Sequence, residues 1–110
     1  MDFSEYAENL GIDTDDFMEL TELFIDTSYY DLDKLLAAID QEDFQAAVKA
    51  AHSIKGAAGN LGFNGIYEKV KTIEMDAREG RLGKNGLEVS VIRDMLDELG
   101  KSINEPDKMV

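Results

Sequence analysis

Apolar residues recur every three or four positions through most of this chain, the spacing that lines one face of an α-helix, and the breaks between runs predict five helical segments. Residues 2–9 form a short amphipathic segment with Phe3, Tyr6 and Leu10 on one side, and Gly11 ends it. Asp13 or Thr14 caps a second helix that runs to about Ile39, with Met18, Ile25, Tyr29, Leu32, Leu36 and Ile39 as its inward stripe. Asp40 to Asp43 makes a turn, and a third helix spans Phe44 to Leu61 with Ala47, Ala50, Ile54, Ala57 and Leu61 on one face. Leu61 to Phe63 is a tight connection in which Gly62 serves as a helix cap, and Asn64 caps a fourth helix to about Glu79 with Ile66, Val70, Ile73 and Ala77 at core spacing. The run Gly80 to Gly86 holds three glycines and reads as a loop. A last helix turns Ile92, Met95, Leu96, Leu99 and Ile103 inward, and Pro106 marks a tail.

Short connections between amphipathic helices favour antiparallel neighbours. The expected fold is therefore all-α: an up-down-up-down four-helix bundle over residues 13–103, preceded by an extra short helix within 1–12 and followed by a tail at 104–110, all in a single domain of 110 residues. The second helix carries more apolar residues than one stripe can hold. Phe17, Leu20, Leu23, Phe24 and Tyr30 lie beside or opposite it, which leaves two readings: cover by the N-terminal helix, or an apolar docking surface bordering the third helix.

The third helix contains the sole histidine of the chain, His52, on the side opposite its apolar face. At about 100° per residue it shares that side with Gln45, Val48, Lys49, Lys55, Gly56 and Gly59, so the imidazole is expected in water. Glycine inside a helix costs roughly 1 kcal/mol relative to alanine, and here two fall beside the histidine, at four and seven residues after it. Their placement clears space around the ring. Lys55, three residues on, brings a positive charge within reach of whatever meets the imidazole. An accessible nitrogen nucleophile beside a cation suits the acceptance and donation of a phosphoryl group. Glu74 is a second candidate, since it lies 22 residues after His52 at the edge of the apolar stripe on the next, antiparallel helix; among 24 acidic residues, a solvated glutamate is the competing reading.

The run A-H-S-I-K-G-A-A-G-N-L-G-F, Ala51 to Phe63, resembles the signature of histidine-containing phosphotransfer (HPt) domains, including the related domain of chemotaxis kinases. The helical pattern from Asp15 to Ile103 is compatible with that family's bundle, and Ile54 stands where leucine is common. The resemblance implies a phosphohistidine at His52 that relays phosphate between receiver-domain aspartates, with Lys55 as electrostatic helper and Gly56 and Gly59 as clearance. It implies that Glu74 hydrogen-bonds the ring nitrogen that is not phosphorylated, and it adds Val48 and Phe63, beside Lys49, as candidates for partner docking. The partners implied are response-regulator receiver domains and a sensor or hybrid histidine kinase, with the divalent metal of the reaction carried by the receiver and no cofactor of the chain's own.

Composition narrows the alternatives. The chain has no cysteine and one histidine, which removes disulfide, zinc-thiolate and histidine-rich metal schemes. A formal charge of −13 without a basic patch argues against nucleic acid as a partner. No apolar run approaches the roughly 18 to 20 residues of a membrane span, and the acidic N-terminus is unlike a signal peptide, so a cytoplasmic monomer is expected. No phosphate-cradling glycine loop accompanies the histidine, and a phosphoryl carrier without ATP-dependent kinase activity is the expectation. The reading from a different class is a non-catalytic acidic helical-bundle interaction module.

Overall fold

Side chains and glycines at the helix ends set the element boundaries. The Asp2 carboxylate accepts the backbone N–H groups of Ser4 and Glu5 at 3.1 and 3.3 Å and starts α1, Phe3–Leu10, which Gly11 ends in a left-handed conformation at φ 70°. Asp13, in extended conformation, precedes α2, Thr14–Asp40. Asp43 accepts the Ala46 N–H at 3.2 Å and starts α3, Phe44–Leu61, and Gly62 closes it at φ 86°. In α4, Asn64–Arg78, the residue at the cap position is Phe63, so Asn64 opens the helix from within it and does not cap it. The last helix, α5, is Asn85–Asn104. Gly86, expected in a loop, is helical. The chain is described here from a computed structural model over residues 2–81 and 85–104; Gly83 and Pro106 lie outside the described residues.

Among the described residues there are five helices and no strand, and α2 to α5 form a four-helix bundle in which each helix packs on the next and α5 returns to α2. Cross-helix pairs run in opposite directions along the chain: His52 with Glu74 and Gly59 with Tyr67 between α3 and α4, and Tyr29 with Asp97 and Asp33 with Arg93 between α2 and α5. That register is antiparallel. The core is filled by Leu32, Leu35, Ala47, Ala51, Ile54, Ala58, Val70, Ile73, Ile92 and Leu96, all essentially inaccessible to water.

The buried face of α2 is centred on Phe17, Thr21, Phe24, Ser28, Leu32 and Leu35, about one residue away from the expected stripe. Leu36 is exposed, while Met18, Tyr29 and Ile39 are half-buried. The offset has a physical source, because Thr21 and Ser28 read as polar in sequence yet lie at the centre of the buried face. The Thr21 hydroxyl is satisfied inside its own helix, donating to the Phe17 carbonyl at 2.8 Å.

The extra apolar residues at the start of α2 divide between two fates. Phe17 and Phe24 join Phe3, Tyr6 and Phe63 in a cluster of five rings at one end of the bundle, with Tyr6 stacked on Phe17 at 5.8 Å and Phe24 tilted against Phe63 at 5.4 Å. α1 is the lid on that cluster. Leu20, Leu23 and Tyr30 are not covered and remain exposed.

Candidate phosphotransfer site

The site begins with the outer surface of α3. Ala47, Ala50, Ala51, Ile54 and Ala58 are buried, which turns His52 to solvent with its side chain 64% exposed. Across from it, α4 buries Ile66, Val70, Ile73 and Ala77, and Glu74 follows Ile73 at the rim of that face. The Glu74 side chain is only 3% exposed, so a carboxylate is held at the α3–α4 seam with its oxygens directed at α3.

Three donors converge on it. His52 Nδ1 lies 3.2 Å from Glu74 Oε2, the Lys55 ammonium lies 2.6 Å from Oε1, and Arg78 Nη2 donates to Oε2 at 2.7 Å. Burial alone would raise the carboxyl pKa, but the bonds from Lys55, Arg78 and His52 outweigh it and hold the group down at about 2. An ionised carboxylate only accepts hydrogen bonds, so Nδ1 must carry the proton in this contact. The lone pair is left on Nε2. The site therefore presents an imidazole of fixed tautomer to solvent, anchored from below by a charge that does not titrate near neutral pH.

The sequence candidates fall into three groups in the structure. His52, Lys55 and Glu74 come together, although Lys55 is an ion-pair partner with its side chain 23% exposed and not a mobile charge reaching outward. Gly56 faces open space, with nothing within 4 Å of where a Cβ would stand, which fits clearance; Val48 is half-buried and Lys49 exposed on the same helix. Gly59 has a packing constraint of its own, and Phe63 is a correction. A Cβ at Gly59 would stand 3.2 Å from the Tyr67 ring, so this glycine admits a ring from α4 beside α3. Phe63 is 4% exposed within the ring cluster, where it offers no surface to a partner.

Arg78 was absent from the sequence candidates. Its signal was present in the Glu74–Arg78 spacing of four residues, with the acid on the N-terminal side and the base in the last turn of α4, the favourable order for a helical ion pair. Among the described residues no cluster of three or more carboxylate or histidine groups is spaced to hold a metal ion, and no helix is long and apolar enough to cross a membrane.

The family model for the Hpt domain matches residues 19–102. The chain is similar to chemotaxis protein CheA of Salmonella typhimurium, 32% identical over an alignment of 116 positions that covers 97% of this chain and 16% of that protein. No solved structure matches significantly.

Proposed function

The chain belongs to the Hpt domain family, and on that footing we propose that it carries a phosphoryl group on His52 and relays it between receiver-domain aspartates. The observation that carries the reading is the ionised, buried Glu74 on Nδ1 of an otherwise exposed imidazole. Neutral His52, protonated on Nδ1, attacks the phosphorus of a receiver's aspartyl phosphate through Nε2. The N–P bond forms as the P–O bond to the aspartate breaks, and the aspartate leaves as a carboxylate. The Nδ1 proton stays in place throughout. The positive charge that develops on the ring is stabilised by Glu74, in the way a buried carboxylate supports an imidazolium in a catalytic triad. The reverse sequence delivers the group to a second receiver. A divalent metal and a lysine carried by the receiver would supply the charge that offsets the phosphoryl oxygens, and open space over Gly56 lets that pocket approach the ring.

The partners of this reading are receiver domains and an upstream sensor or hybrid histidine kinase, with the chain acting as a cytoplasmic carrier. The chain spans 16% of the length of CheA, and that likeness favours a second source of phosphate, a chemotaxis-type kinase acting on His52 directly. The test is transfer of label from a panel of phosphorylated receivers to wild type and to His52→Gln. Acid-labile label on the wild type alone is the expected outcome. Label retained by His52→Gln overturns the assignment of His52 as the carrier, and none on a folded wild-type protein from any receiver returns the weight to a non-catalytic helical interaction module.

A further inference from the structure

We propose that Arg78 is a positioning residue of the phosphoryl-accepting site, fixing the tautomer of His52 through Glu74. The inference rests on the reading of His52 as the accepting nucleophile.

The geometry that carries it is the unequal sharing of Glu74. Oε1 faces the Lys55 ammonium at 2.6 Å, and Oε2 takes both Arg78 Nη2 at 2.7 Å and His52 Nδ1 at 3.2 Å. A glutamate side chain ends in a broad torsion, so a carboxylate held by one lysine alone can turn about its last bond. Lys55 is a flexible point charge that fixes a distance but not a plane, whereas a guanidinium donates in a fixed fork and sets direction. With one cation on each oxygen, the plane of the carboxylate is determined and Oε2 is held where Nδ1–H can reach it. The Arg78 bond goes to the carboxylate and not to the ring.

The charges at the cluster point the same way. Lys55 and Arg78 each hold one oxygen of Glu74, so the acid orients the Nδ1 proton from a fixed position. Arg78 is placed to do this without belonging to the core: its side chain is 59% exposed, on the solvent side of the last turn of α4.

The experiment compares wild type, Arg78→Gln and Arg78→Lys in the full chain. Ring-nitrogen NMR shifts of His52 at neutral pH give the tautomer ratio, and transfer from a phosphorylated receiver gives the maximal rate and the half-saturating concentration separately. Arg78→Gln is expected to lower the Nδ1–H fraction and to reduce the maximal rate roughly tenfold, the scale of one charge-assisted hydrogen bond, with half-saturation unchanged. Arg78→Lys is expected to restore part of both. An unchanged tautomer ratio in a folded Arg78→Gln overturns the proposal, as does a loss confined to half-saturation, which would make Arg78 a docking residue. If the wild type accepts no phosphate, the relay reading fails by itself, and the tautomer ratios still decide the role of Arg78.

Discussion

At the scale of single residues, the site is a buried charge offset by three donors, and its stability follows from that. Glu74→Gln keeps the shape of the side chain but leaves the half-buried Lys55 without its counter-charge, and should cost roughly 1–3 kcal/mol at neutral pH. The sign with pH is set by the depressed carboxyl. Its ordinary value is 4.5 and its folded value about 2, so the contribution is fully present above about 4.5 and is lost as pH falls through about 2. Urea unfolding of the two proteins should therefore differ most near neutral pH and converge toward pH 2; an undiminished gap there would place the loss in packing. His52, Lys55 and Glu74 were legible in the sequence because helical spacing and an antiparallel return bring them together. Arg78 was not, because Asp97 and Lys101 repeat the same order and spacing in α5, and only burial of the acid distinguishes Glu74 from the exposed Asp97. Phe63 was misplaced for a related reason: proximity to the motif says nothing about which side of a tight turn a ring occupies, and here it turns inward to Tyr6 and Phe24.

At the scale of elements, the two glycines of α3 answer to different constraints. At Gly56 a methyl group meets nothing, so Gly56→Ala should raise stability by about 0.5–1 kcal/mol through helix propensity, with thermal unfolding as the check. Gly56→Leu should fold as well and yet slow transfer, since the larger side chain stands in the space a partner must enter. Equal transfer rates for the glycine and leucine forms would remove clearance as the reason for the residue. The ring cluster is a matter of stability alone. Phe63→Ala removes three ring contacts, with Tyr6, Phe17 and Phe24, and should cost about 3–5 kcal/mol, while the folded fraction still accepts phosphate. The helices themselves were legible, with α3 matching at both ends, since its capping aspartate and its glycine are visible in the sequence. The register of α2 was less so. A helix with neighbours on three sides, α1, α3 and α5, has no single apolar stripe, and its buried Thr21 and Ser28 carry the polar letters that pattern-reading assigns to solvent.

At the scale of the whole molecule, the net charge of −13 sets a cost that no single residue shows. The radius of gyration is 14.6 Å, so in about 10 mM salt, where the screening length is about 30 Å, the carboxylates act on one another across the entire bundle. At about 100 mM that length falls to about 10 Å, and only near neighbours interact. Exposed pairs such as Asp33 with Arg93 lose a little over the same range, but a surface ion pair contributes only about 0–1 kcal/mol, and acidic groups outnumber basic ones 24 to 11. Repulsion is the larger effect, and adding salt should stabilise the fold. Raising sodium chloride from 10 to 200 mM is expected to increase the thermal midpoint by several degrees, since about 1 kcal/mol corresponds to roughly 4–8 °C in a domain of this size. The Glu74 carboxylate is shielded from the added ions by burial and its partners lie in direct contact, so the His52 tautomer should stay constant across the series while the midpoint rises. A midpoint that fell with salt would mean that the ion pairs, and not the excess of acid, govern the electrostatics of this bundle.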